Sequence, residues 1–80
     1  MKAKIHVTLK GGVLDVQGKA VAAGLGGLGF AGISDVRVGR YVEIELAASS
    51  KAAAEKTVKD MCEKLLANTV IENYRIEIVE

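Results

Sequence analysis

The chain has one cysteine, one histidine, no proline and a charge excess of only +1. A lone Cys62 excludes an internal disulfide and the zinc sites built on repeated cysteines, and with a single His6 little else is left for metal chemistry. Such cysteine usage fits a reducing cytoplasm. Eleven Lys and Arg against ten Asp and Glu cannot make the concentrated positive field that phosphate backbones demand, which argues against a nucleic-acid role. No apolar run reaches membrane-spanning length, and Met1 to Leu9 alternates polar and apolar residues instead of forming a secretory leader. The expectation is a cytosolic protein with no membrane contact, whole as it stands. Half of the 80 residues are hydrophobic, which rules out disorder. A single domain over 1–80 of this size buries only roughly 60% of the surface its unfolded chain exposes, so it has little stability to spare.

Ala3, Ile5, Val7 and Leu9 alternate with Lys2, Lys4, His6 and Thr8, the pattern of a half-buried strand. Gly11 and Gly12 end it, and Asp15 stands where an N-cap opens a helix running to about Leu28, with Val21, Leu25 and Leu28 as its apolar stripe. Gly18, Gly24, Gly26 and Gly27 lie within or at the end of that helix. Each costs about 1 kcal/mol relative to Ala in a helix interior, so packing must hold the helix together. From Ile33 to Ala47 the inward positions are Val36, Val38, Val42, Ile44 and Leu46, with Arg37, Tyr41, Glu43 and Glu45 opposite. A two-residue turn at Gly39-Arg40 would put Val36 beside Glu43 on one face, so that register fails. Two readings survive: a three-residue turn over Gly39–Tyr41 that pairs Val36 with Ile44, or one long strand bent at Gly39, the latter slightly preferred.

Ser49 or Ser50 caps a second helix from about Lys51 to Ala67, with Ala54, Val58, Met61 and Leu65 as the buried face. Glu55 with Lys59, Lys56 with Asp60 and Lys59 with Glu63 are spaced for ion pairs on its other face. Asn68 suits a left-handed helix end, and Tyr74, Ile76 and Ile78 alternate as a last strand. The order predicts an α+β, two-layer domain, ferredoxin-like in outline, with two helices packed on one face of a small, mostly antiparallel sheet. The other face would carry Lys4, His6, Arg37, Tyr41, Glu43, Arg75 and Glu77, and it and the sheet edges invite another subunit.

No catalytic constellation emerges. Gly24-Leu25-Gly26-Gly27-Leu28-Gly29 matches a nucleotide-binding string, but it lies at a helix end, where N–H groups are used and the dipole is negative. Cys62 borders the apolar stripe and lacks an evident base, so it reads as a small hydrophobe. Glu43, Glu45 and Glu77 are explained by cross-strand pairing with Lys2, Lys4, Arg37 and Arg75.

Three strings together resemble the PurS subunit family of phosphoribosylformylglycinamidine synthase. They are Lys10-Gly11-Gly12-Val13-Leu14-Asp15-Val16-Gln17-Gly18-Lys19-Ala20, Asp35-Val36-Arg37-Val38-Gly39-Arg40-Tyr41, and Met61-Cys62-Glu63-Lys64-Leu65-Leu66-Ala67-Asn68-Thr69-Val70-Ile71-Glu72. The likeness extends from Val7 to Ile78. Val16 and Thr69 stand where the family usually has proline, and with the extra glycines Gly24, Gly26 and Gly27 they suggest a less rigid member.

The resemblance implies a small accessory subunit, non-catalytic by itself, of the enzyme that makes formylglycinamidine ribonucleotide from formylglycinamide ribonucleotide, glutamine and ATP in purine biosynthesis. It implies a glutaminase subunit and a large synthetase subunit as partners, with this chain assembling them and helping ammonia pass between them. ATP and Mg are used by the synthetase, no cofactor or metal is bound by this chain, and the chain itself forms a homodimer or homotetramer. By matching strings, Asp15, Gln17 and Gly18 at the first helix start and Arg37, Gly39, Arg40 and Tyr41 along the middle strand are the candidate partner-contact residues. Asp15 is also explained as a helix cap, Gly39 as a bend and Gly18 as a close-packing position. Arg37, Arg40 and Tyr41 are of the types enriched at contact centres. The rival expectation is a metabolite-binding regulatory module of the same shape, acting as a homo-oligomer.

Overall fold

A computed structural model of the protein describes residues 1–80. The alternating start forms strand β1 (Lys2–Leu9), the centre of a three-stranded antiparallel sheet between β2 (Gly39–Glu45) and β3 (Glu72–Val79). Its register pairs Ala3 with Ile44 and Ile78, and Ile5 with Val42 and Ile76, so the apolar sets of all three strands share one face. Helix α2 (Lys51–Met61), capped by the Ser50 hydroxyl, which accepts from the Ala53 N–H at 3.1 Å, covers that face. Ala3, Ile5 and Val7 meet Ala54, Val58 and Cys62 there, and with Ala67 and Ile78 they make a core of only eight side chains.

The last helical turn is wider than an α-turn. Residues Cys62–Leu66 are π-helical, closed by a bond from the Ala67 N–H to the Cys62 carbonyl at 3.1 Å. Cys62 is therefore fully buried while Leu65, expected on the buried face, is 84% exposed. Asn68 is not left-handed, since no residue other than glycine has positive φ. The chain leaves the π-turn through an extended Ala67, and the Asn68 side chain instead accepts from the Val70 N–H at 3.2 Å. On the solvent side of α2 and its extension the ion pair that forms is Lys64 with Asp60, at 3.0 Å, and none of the three pairs expected from spacing.

The larger departures concern the first helix and the segment after it. Helix α1 (Val16–Gly27) forms as the Asp15 cap predicts, yet Gly18 is its only buried residue. Val21 and Leu28 of the expected stripe are 44% and 77% exposed. The expected α+β set of two helices and a small antiparallel sheet is present, with α2 as the helix packed closely on the sheet and α1 lying largely clear of it. The chain is correspondingly long, 50 × 26 × 15 Å, with a radius of gyration of 15.9 Å. A compact chain of this length has about 12 Å. The stretch from Ile33 to Val38 neither turns back as a hairpin nor enters the sheet; strand pairing starts at Gly39. No helix is long and apolar enough to cross a membrane.

Candidate functional site

The sheet's outer face carries ordered rows. Lys4 lies between Glu43 and Glu77, and His6 between Tyr41 and Arg75. Lys2 Nζ approaches Glu43 Oε2 at 3.6 Å, the Tyr41 hydroxyl donates to Glu43 Oε1 at 2.9 Å, and the His6 and Tyr41 rings lie 5.0 Å apart. The Tyr41 hydroxyl, followed by Lys2, holds the Glu43 carboxyl below the usual range, while desolvation and then Glu43 push the Tyr41 phenol up. Glu43 is engaged by Lys2 and Tyr41 as charge complementarity predicts, while Glu77 faces Lys4 in register and Glu45 faces Lys2 without forming an ion pair.

The other candidate residues meet where β1 ends and β2 begins. Asp15 is buried, and one carboxylate oxygen accepts from the Gly18 N–H at 2.7 Å, the other from the Val38 N–H at 2.8 Å. These two bonds, Val38 foremost, hold its carboxyl below the ordinary range. One side chain thus starts α1 and fixes the approach to β2. Gly18 is demanded by the same junction, because a Cβ there would collide with the Val36 carbonyl and the Asp15 carboxylate. Gly39 is likewise a close-approach position, against the Val7 carbonyl.

Arg37 is not on the outer sheet face. Its guanidinium reaches back to donate to the carbonyls of Leu9 at 2.8 Å and Lys10 at 3.2 Å, closing the end of β1. Arg40 donates to both carboxylate oxygens of Glu72, at 2.7 and 2.9 Å, and so links β2 to β3 across β1. Glu72 also accepts from the Asn68 N–H at 2.7 Å; that bond and then Arg40 keep its carboxyl low. Gln17, Gly39, Arg40 and Glu72 border one shallow cleft of about 180 Å³ with Asp15. Asp15, Gln17, Gly18, Arg37, Gly39 and Arg40 therefore share a corner, and Tyr41 stands apart on the outer face. Sequence reasoning missed Glu72, although it closes the third quoted string.

The corner contains no nucleophile beside a base. Cys62 is buried beneath α2, with its thiol pushed up by burial and then by Glu63, while His6 lies on the opposite side of the sheet. No three His, Cys, Asp or Glu side chains cluster in a way that could hold a metal ion. At the glycine string, Leu28, Gly29 and Phe30 already direct their N–H groups to the carbonyls of Gly24, Leu25 and Gly26. What the corner offers is an exposed Gln17 and a half-exposed Arg40 on a backbone locked by buried hydrogen bonds.

Comparison with known proteins adds the following. A sequence model of the PurS family, described as phosphoribosylformylglycinamidine (FGAM) synthase, matches residues 2–80. The PurS subunit of that synthase from Synechocystis is 52% identical over 75 residues, covering 94% of this chain and 75% of that one. The crystal structure of Bacillus subtilis PurS superposes with a TM-score of 0.86 at 48% identity, covering 99% and 98% of the two chains. A chain in the structure of PurLQS from Thermotoga maritima superposes with a TM-score of 0.87 at 31% identity, covering 95% and 93%.

Proposed function

The chain belongs to the PurS family of FGAM synthase subunits, and from that premise we propose that it is the enzyme's assembly piece. It is a non-catalytic subunit of a purine-biosynthetic ligase. In this reading a homo-oligomer of the chain holds a glutaminase subunit against a large synthetase subunit that uses ATP and Mg, and ammonia passes between the two beside it. The relative in the PurLQS structure supports such an assembly. The observation that carries the reading is the make-up of the corner itself. Asp15, Gly18, Arg37 and Gly39 are engaged in holding backbone, which leaves Gln17 and Arg40 there, and Tyr41 on the outer face, to meet a partner.

Affinity capture of the tagged chain with purified glutaminase and synthetase subunits, in the presence of Mg-ATP and glutamine, tests it. Both subunits should be retained. Tyr41→Ala and Gln17→Ala should weaken retention while leaving the melting temperature within about 3 °C of the parent, since surface changes cost about 0.5 kcal/mol or less. Arg37→Ala should lower both, because it strips two main-chain carbonyls of their donor. Retention of neither subunit by the folded parent chain would overturn the reading.

A further inference from the structure

Arg40 and Glu72 form an ion pair of unequal exposure. The Glu72 side chain is 15% exposed and that of Arg40 56%, so the acid lies inside and the outer edge of the cation faces solvent. Both carboxylate oxygens accept from one nitrogen, Nη2. A guanidinium has five N–H groups, and the three on Nε and Nη1 find no acceptor within the chain. The carboxylate is itself held from behind. Its Oε1 accepts from the Asn68 N–H, and the turn that brings Asn68 there is closed by the Ile71 and Glu72 N–H groups, which donate to the Asn68 carbonyl at 3.1 and 2.7 Å. The Lys10 N–H donates to the Ile71 carbonyl at 2.8 Å and ties that turn to the end of β1. Exposed ion pairs contribute little to stability; what this one does is fix the direction of a guanidinium that would otherwise swing on a long, flexible stem.

The cleft beside the pair suits one kind of guest. At about 180 Å³ it falls below the roughly 300–1,000 Å³ of small-molecule pockets, so it takes the tip of a polypeptide loop and not a nucleotide. Two carboxylates, Asp15 and Glu72, and one guanidinium line it, so an incoming anion is repelled. All four carboxylate oxygens already accept hydrogen bonds, those of Asp15 from Gly18 and Val38 and those of Glu72 from Arg40 and Asn68. The free donors that remain are those of Arg40 and of the exposed Gln17 amide. Donors on a lining with no positive charge in excess select a neutral acceptor. Arg37 does so in the same corner, where its guanidinium serves the main-chain carbonyls of Leu9 and Lys10.

We propose that Glu72 is a positioning residue: it holds Arg40 so that Nε and Nη1 donate to main-chain carbonyls of a loop on the glutaminase or the synthetase. The proposal rests on the reading above, in which the corner meets a partner, and adds the group that is recognised and the residue that aims its donor. Because the guanidinium is fixed before the partner arrives, docking loses little side-chain freedom there.

The test is a double-mutant cycle on the full chain: parent, Glu72→Gln, Arg40→Ala and the two together, at a temperature where circular dichroism shows all four folded. Glutaminase and synthetase are titrated in turn, each with the other subunit, Mg-ATP and glutamine present, and the larger effect marks the subunit that carries the carbonyls. Arg40→Ala should raise the dissociation constant about 10- to 100-fold. Glu72→Gln keeps the shape but loses the charge and one acceptor. It should raise the constant about 3- to 10-fold beside Arg40 and less than about twofold once Arg40 is alanine, a dependence that a merely stabilising strap does not produce. The factor due to Arg40 should be the same at about 50 and 500 mM salt, since a neutral acceptor is not screened as a carboxylate is. No loss from Glu72→Gln, or an equal loss in both backgrounds, would overturn the positioning role. An Arg40 factor that shrinks with salt would overturn the carbonyl assignment, and an effect confined to self-association, read by sedimentation, would overturn the contact with another subunit. A folded parent chain that binds neither subunit would refute the underlying assembly reading instead.

Discussion

Two Gly→Ala substitutions in helix α1 should act in opposite directions. At Gly26 an added Cβ meets nothing within 4 Å and the backbone is helical, so alanine only removes freedom from the unfolded chain. The gain is about 0.5–1 kcal/mol, or roughly 2–8 °C in melting temperature for a domain of this size. At Gly18 the same methyl meets the Val36 carbonyl and the Asp15 carboxylate, which are themselves fixed by the bonds of Asp15 to Gly18 and Val38. Overpacking against fixed backbone costs about 1–3 kcal/mol. The propensity gain offsets a small part of this, leaving a net loss of about 1–2 kcal/mol, or roughly 4–16 °C. Thermal unfolding by circular dichroism, checked by urea denaturation at one protein concentration, reads both. A Gly18→Ala variant as stable as the parent, or a Gly26→Ala variant less stable, would refute the assignment of Gly18 to close packing and of Gly26 to unused freedom.

Other outcomes follow from the same junctions. The carboxyls of Asp15, Glu43 and Glu72 are all held low in the folded chain, so their stabilisation is complete above the ordinary carboxyl range of about 4 and is lost as pH falls below it. Urea midpoints measured from pH 6 down to 2 should fall across that range, and Asp15→Asn should flatten the fall. Tyr74 is pushed up to about 12, chiefly by the Glu63 carboxylate and then by desolvation, so its contribution is complete below the ordinary tyrosine value of about 10 and fades as pH climbs toward 12. Tyr74→Phe should weaken that alkaline loss in the same titration. The buried Cys62 thiol should react with a thiol reagent only as fast as the chain opens, and fully in denaturant; prompt native labelling would contradict its place in the core.

Much of the fold could be read from residues whose partners lie within the chain. Ala3, Ile5 and Val7 announce β1 because one α2 face and two strands bury them, and Ala54 and Val58 announce α2 for the same reason. Leu65 misled because apolar spacing carries no mark of a π-turn, which takes five residues to do the work of four. Val36 and Val38 read as strand, and Val21 and Leu28 as a buried stripe, because the pattern records burial against whatever surface is present in the assembled protein. Within one chain Val21 and Leu28 are exposed, and Val36 and Val38 are only partly covered. The corner was legible as three strings but not as a geometry. Asp15 joined to Val38 across 23 positions, and Glu72 joined to Arg40 across 32, are contacts that no local spacing encodes.

The 50 Å length of a chain only 15 Å thick also governs how the protein moves through solution. Drag depends on shape as well as mass, and a slender particle diffuses more slowly than a sphere of equal weight. Against globular standards a single copy would elute from a sizing column ahead of its true mass and could be taken for a pair, so copies must be counted by light scattering or sedimentation equilibrium, where friction drops out.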